Sequence, residues 1–373
     1  MPENNAQQSE RNETPKTRDE LLSILRGQTV RVPDLAPMFA GWPYDKSPHL
    51  DTVDVKIFMM IQTHAVNDTV RSRLTKAQLS ESLAGWYPYA SSVKMEILTS
   101  FQVWMFIIDD LLDQYSIVEK FDYKKLQTLL VDCEEYVKKS LVISSSYATD
   151  ALLSFQDRDA ILSFEEYATA VCDLYGDNLP YRKRIAKEAI ATLEAYRKEA
   201  LNRRDAHLPS LEEYLDYRHA SSCMMQVVAN LEFANGLSLP EHVMESDEIK
   251  NLYEATVAVM WIVNDIVSLR KEIQEGFVEN IVVLLADGNM QRGLDATIER
   301  LQGEINRVNR ASEAAAARFA GESFERDIAL LAKNCKNMCL ANWFWRYCLH
   351  DITTDAEGGY VFTIDEIAEE ESA

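Results

Sequence analysis

Asp109, Asp110 and Asp113 fall in the run Asp109-Asp110-Leu111-Leu112-Asp113, at the end of an apolar stretch covering residues 101–108. On a helix, Asp109 and Asp113 stand one turn apart on a shared face, with Asp110 alongside. Carboxylates gathered in this way repel one another and resist burial unless a hard cation such as Mg²⁺ sits between them. Acidic residues make up 60 of 373, so this motif alone also fits a solvated helix end. A second group is Asn264, Ser268 and Glu272, at i, i+4 and i+8, within about 80° of arc on a helix. Projected backwards, the same stripe carries Met260, Val257 and Tyr253, so the polar trio continues a core-facing apolar line. An amide oxygen, a hydroxyl and a carboxylate make an oxygen-only ligand set that suits Mg²⁺ and not zinc or copper. Lys271 lies beside the trio, able to meet an anionic ligand. The competing account is a helix running out of the core into solvent.

The elements that must carry these residues are helices. With 12 glycines and 10 prolines in 373 residues and 47% hydrophobic content, long stretches lack turn-makers, which points to an all-α fold with one large core. Ser210 and Glu213 form a capping box that predicts a helix from there to about Phe233. Further helices are predicted over about 247–273 and 323–349, with earlier ones near 50–64, 91–113, 119–140, 181–203 and 290–318. Together they make a bundle of about ten or more helices. Residues 1–18 are polar and aperiodic and read as a disordered leader, 19–354 as a single domain, and 355–373 as an acidic tail or a flap that orders on binding. The formal net charge of −22 argues against nucleic acid or an anionic membrane as a partner. No secretory signal opens the chain, the longest apolar runs are too short to span a bilayer, and the six cysteines form no CxxC pair. A cytoplasmic protein with reduced thiols is the expectation.

The two motifs together, DDLLD and NDIVSLRKE, resemble those of class I terpene synthases, whose signatures are DDxx(D/E) and (N/D)Dxx(S/T)xxx(K/R)(D/E), here in the family's order and separation. The second is one residue shorter than the fullest form, with Lys271 and Glu272 filling its last places. Arg218, in EYLDYRHASS, lies 46 residues before Asn264, about where the family places an arginine that senses diphosphate. Arg346-Tyr347, in NWFWRYC, is similar to the family's C-terminal Arg-Tyr pair, which also binds diphosphate. Periodicity agrees independently: Arg346 continues the stripe Phe324, Ile328, Leu331, Cys335, Cys339 and Asn342, and a guanidinium on a core-facing line needs an anionic partner. The chain departs from the family pattern at Ser221-Ser222, where a glycine often follows the sensor arginine. It departs again near Leu340, where a tryptophan is usual; Trp343 and Trp345 stand closer to the pair.

The resemblance implies a helical bundle around a central apolar cavity of the fungal or bacterial sesquiterpene synthase type. It implies Mg²⁺, three ions per site, on Asp109, Asp110 and Asp113 and on Asn264, Ser268 and Glu272. Diphosphate is then held by Arg218, Lys271, Arg346 and Tyr347, and the reaction is ionisation and cyclisation of an isoprenyl diphosphate such as farnesyl diphosphate. A dry pocket would need aromatic faces to stabilise a cation, and Phe101, Phe106, Trp261 and Trp343 are the candidates. Neither nucleic acid nor membrane is expected as a partner, and the protein is expected as a monomer or homodimer. Two rivals stand beside this reading. A chain-elongating isoprenyl diphosphate synthase would carry a second aspartate-rich motif, whereas Asp109-Asp110 is the sole Asp-Asp pair. A non-catalytic helical interaction protein would give no reason for polar residues to interrupt the apolar stripe.

Overall fold

The computed structural model describes residues 17–116, 121–143, 157–176, 179–349 and 354–364. These form helices, as the scarcity of turn-makers predicts, with one small two-stranded ribbon. The order is α1 (Arg18–Leu25), β1 (Thr29–Val32), α2 (Leu50–His64), α3 (Asp68–Lys76), α4 (Leu79–Trp86) and α5 (Ser92–Ser116). Next come α6 (Tyr123–Lys138), α7 (Arg158–Leu162), α8 (Glu165–Tyr175), α9 (Leu179–Arg204), α10 (Leu211–Ser221), α11 (Met224–Ala229) and α12 (Leu231–Asn235). The chain continues through α13 (Glu241–Met244), α14 (Asp247–Gln274), α15 (Ile281–Leu285), α16 (Met290–Arg318), α17 (Glu325–Leu349) and β2 (Tyr360–Thr363).

The centre of the bundle is α14. Ser246 caps it, its side chain accepting from the Ile249 amide, and Asp247 and Glu248 complement the first turn. From Ala255 to Leu269 it is buried on nearly all faces, with α10, α11, α15, α16 and α17 packed around it. It is long and apolar enough to cross a membrane by length and composition, but 89% of its most apolar stretch is buried inside the bundle. A helix that is apolar all round belongs in such a core.

Three asparagines set α17 in register. Asn334 donates to the Trp86 carbonyl at 2.8 Å, Asn337 to that of Gly85 at 2.8 Å, and Asn342 to that of Met260 at 3.1 Å. Gly85 permits the approach of α4 to α17, since a Cβ there would lie 2.5 Å from that of Ala341. The expected stripe is buried at Ile328, Leu331, Cys335, Cys339 and Asn342, and it carries Arg346 inward one turn on.

Two expectations need correcting. The Ser210–Glu213 capping box forms, but its helix ends at Ser221 and does not run on to Phe233. Cys223 adopts a left-handed conformation (φ 62°), and α11 and α12 follow as separate short helices. Such a break leaves carbonyls to satisfy; the Tyr87 hydroxyl donates to that of Val227 at 2.8 Å. The segment expected as the start of an acidic tail holds β2, paired antiparallel with β1 through Val30 and Phe362. Its period-two burial, with Tyr360, Phe362 and Ile364 inside, explains the pairing. The leader begins its helix at Arg18 with a capping box from Thr17 to Glu20, and residues 1–16 lie outside the described residues.

Candidate active site

A cavity of about 230 Å³ opens among α5, α9, α10, α14 and α17, and Asp109, Asp113, Arg218, Asn264, Ser268, Lys271, Glu272 and Arg346 all face it. The two motifs, far apart in sequence, therefore form two walls of one space. Met105, Phe106, Met224 and Phe277 supply apolar lining beside them.

The carboxylates of the α5 wall are engaged by side chains from two other helices, α3 and α9. Asp109 accepts a hydrogen bond from the Tyr196 hydroxyl of α9. Asp110 lies 3.6 Å from Arg73 of α3, and its Oδ2 is buried without a partner. Asp113 lies 3.6 Å from Arg203, also of α9, whose guanidinium covers the Phe277 ring at 4.6 Å. Burial, reinforced by the Asp113 charge, raises the Asp109 carboxyl above its ordinary range. Burial likewise pushes Asp110 up to about 6, against the pull of Arg73.

On the α14 wall the groups are tied to one another. The Ser268 hydroxyl donates to the Asn264 carbonyl at 2.6 Å, and Glu272 accepts from the Asn280 amide at 2.9 Å. Asn280 also donates to the Asp265 carbonyl at 2.7 Å and accepts from the Val282 amide at 2.9 Å, capping α15 against α14. Burial and the nearby Asp265 charge raise the Glu272 carboxyl. Asp265, fully buried, accepts from Arg218 Nε at 3.1 Å and Nη2 at 2.5 Å, from the Tyr214 hydroxyl, and from the Ile281 amide at 3.1 Å. Arg218 donates in addition to Asn264 Oδ1 at 2.8 Å.

Arg346 stacks 4.3 Å over the Trp345 ring with its Nε buried and unpartnered. Burial pushes its guanidinium down to about 10 despite the Asp109 and Glu272 charges, so it is a desolvated cation, in no ion pair among the described residues. Lys271 is half exposed at the mouth, 3.8 Å from Glu275.

Not every expected residue meets the cavity. Tyr347 is turned away, its hydroxyl donating to the Gly358 carbonyl at 3.1 Å and its ring against Trp343 and Tyr360. Of the four aromatic candidates, only Phe106 lines the space. Phe101 sits in a ring cluster with Trp104 and Tyr167, Trp261 packs edge-on to Tyr214, and Trp343 supports Tyr347. Ser221 and Ser222, where the family often has glycine, do line it. Nothing in the sequence singles out Tyr196, Arg203, Asp265 or Glu279; all but the buried Asp265 line the cavity. Arg18 of α1 pairs with Glu279 there, tying the N-terminal helix to the mouth. Their partners lie tens to hundreds of residues away, so no local pattern marked them.

The donor set fits a hard divalent cation. The inward groups are oxygens, and burial with neighbouring carboxylate charge raises Asp109 and Glu272; Asp110, expected as a third α5 ligand, does not line the cavity, though its Oδ2 is buried without a partner. Among the described residues, no three His, Cys, Asp or Glu side chains converge closely enough to hold an ion as they stand.

The family model described as terpene synthase family 2, C-terminal metal binding, matches residues 100–310, which include both walls up to Glu272. The sesquiterpene cyclase hepA of Aspergillus oryzae is 24% identical over 367 residues, 94% of this chain and 97% of the relative. Pristinol synthase of Streptomyces pristinaespiralis is 25% identical over 303 residues, 79% of this chain and 72% of the relative. Among solved structures, linalool/nerolidol synthase from Streptomyces clavuligerus, in complex with 2-fluorogeranyl diphosphate, has a TM-score of 0.68 at 17% identity. That alignment covers 82% of this chain and 97% of the other. Hedycaryol synthase gives 0.67 at 18% identity, covering 83% and 97%. Both are likenesses of fold. The chain belongs to the terpene synthase family, an assignment that rests on the family model over more than half its length.

Proposed function

We propose that this protein ionises and cyclises farnesyl diphosphate in a Mg²⁺-dependent reaction, releasing diphosphate and a sesquiterpene hydrocarbon or alcohol. The observation that carries the reading is the convergence of Asp109, Asn264, Ser268 and Glu272 with Arg218, Lys271 and Arg346 on one cavity. The C15 substrate is drawn from the likeness to hepA, named as a sesquiterpene cyclase and matched over nearly its whole length.

Asp109, with Asp110 and Asp113 in support, would hold two of three Mg²⁺ ions, and Asn264, Ser268 and Glu272 the third. Bound there, Mg²⁺ supplies positive charge that stabilises the departing diphosphate. Arg346, a buried cation with a free Nε, binds the diphosphate, and its planar fork matches phosphate oxygens. Arg218 senses the diphosphate from its anchor on Asp265, and Lys271 meets it at the mouth. Tyr347 would join them only by giving up the Gly358 carbonyl. Phe106, Met105 and Met224 keep water from the hydrocarbon end, where a carbocation would otherwise be quenched. One catalytic domain that takes in β2 beyond residues 19–354, a cytoplasmic location, and a monomer or homodimer without nucleic-acid or membrane partners complete the proposal. The net charge of −22 supports the last part, because it repels both polyanions.

The test is incubation of purified protein with farnesyl diphosphate, with Mg²⁺ or with EDTA, followed by extraction of volatile products. A cyclic C15 product that disappears with EDTA is expected. A product from geranyl or geranylgeranyl diphosphate alone would change the chain length, and silence with all three would overturn the catalytic reading.

A further inference from the structure

We infer that Tyr196 positions Asp109 for metal ligation and does so from the helix break at Cys223. This rests on the metal-site reading above and adds to it a residue outside both motifs. Tyr196 comes from the middle of α9 and lines the cavity. Its hydroxyl touches two groups at once: it donates to Asp109 Oδ1 and stands 2.9 Å from Cys223 Sγ.

Proton counting fixes the directions. The Tyr196 hydroxyl donates its single proton to Asp109 Oδ1, so its oxygen can only accept from Cys223. Burial keeps that thiol protonated, so it is able to donate. A directed chain results, from thiol to phenol to carboxylate.

Cys223 is no ordinary anchor. It holds the left-handed conformation (φ 62°) at which α10 gives way to α11, directly after Ser221 and Ser222 on the cavity wall. The phenol thus binds one Asp109 oxygen, leaves Oδ2 for a cation, and fixes that carboxylate relative to the break. The rest of the α5 wall is held differently: Arg73 and Arg203 offer ion pairs at 3.6 Å, which a competing cation displaces without removing a short, directed bond. Hydrogen-bond partners that orient a ligating carboxylate typically matter by about 10–100-fold in metal affinity.

Thermal melting of the full chain, titrated with Mg²⁺ at fixed inorganic diphosphate, tests this without relying on turnover. Tyr196→Phe keeps the ring and removes the hydroxyl. It should melt near wild type without ligand, yet need about 10-fold more Mg²⁺ to reach half of the ligand-induced shift. Cys223→Ala removes nothing from Asp109 and should need about threefold more, the scale of one neutral hydrogen bond. An unchanged Mg²⁺ half-point in Tyr196→Phe overturns the inference while leaving the metal site intact. If Tyr196→Phe does not fold, Cys223→Ala decides, and an unchanged half-point there overturns the link to the break. A wild-type protein whose melting ignores Mg²⁺ and diphosphate removes the metal-site reading, and this inference with it.

Discussion

The two acidic walls face the same cavity but are built in different ways. The α14 wall lies in the helix at the centre of the bundle and is knitted internally: Ser268 to Asn264, Asn280 to Glu272, and Asp265 to Arg218, Tyr214 and Ile281. The α5 wall lies near a helix end, and its carboxylates lean on Tyr196, Arg73 and Arg203 from two other helices. One wall is preorganised as part of the core. The other is held in place by groups that a metal ion would have to replace or accommodate. Buried, mutually satisfied networks rigidify their surroundings, whereas half-exposed ion pairs contribute little to stability.

That contrast can be broken at several points. Asp109→Asn should have the largest effect, a fall in turnover of about 10³-fold with little loss of stability, since it removes the charge at the head of the α5 wall. Paired substitution Asn264→Ala with Ser268→Ala should cost about 10²-fold or more, measured as product formed at saturating Mg²⁺. Near-normal turnover in either variant would contradict the ligand assignment. Asp265→Asn strips the charge that neutralises Arg218, whose side chain is 13% exposed against 0% for Asp265. Removing one partner of a buried pair typically costs about 3–5 kcal/mol, so this variant should melt well below wild type before any ligand is added. Arg73→Gln, by contrast, breaks a pair whose side chains are 44% and 15% exposed, and should shift stability by less than about 1 kcal/mol. Equal destabilisation by Asp265→Asn and Arg73→Gln would erase the distinction between the walls. The smallest effect is on selectivity: Phe106→Leu should alter the product mixture, while Phe101→Leu should lower stability and leave the mixture unchanged.

The α14 and α17 stripes were legible because long helices repeat their burial every turn. Polar residues interrupting an apolar line, as at Asn264 and Arg346, stand out without any tertiary information. The break at Cys223 was not legible, because Cys-Met-Met-Gln-Val-Val contains no glycine or proline to announce it. At the break the Met224 amide donates to Ser222 Oγ, and the distant Tyr196 hydroxyl meets Cys223 Sγ. The alternation of Tyr360, Phe362 and Ile364 was a readable strand signal, hidden by the acidic composition around it. The aromatic wall was misjudged at Phe101, Trp261 and Trp343, because an inward helical face can meet either the cavity or another helix. Periodicity does not distinguish the two.

A crystal structure with Mn²⁺ and inorganic diphosphate, located by anomalous scattering, tests the central claim most directly. The account predicts metal ions on Asp109 and on Asn264, Ser268 and Glu272, with the diphosphate between them on Arg218, Lys271 and Arg346. Ions bound by one wall alone, or a diphosphate seated away from Arg346, would contradict it.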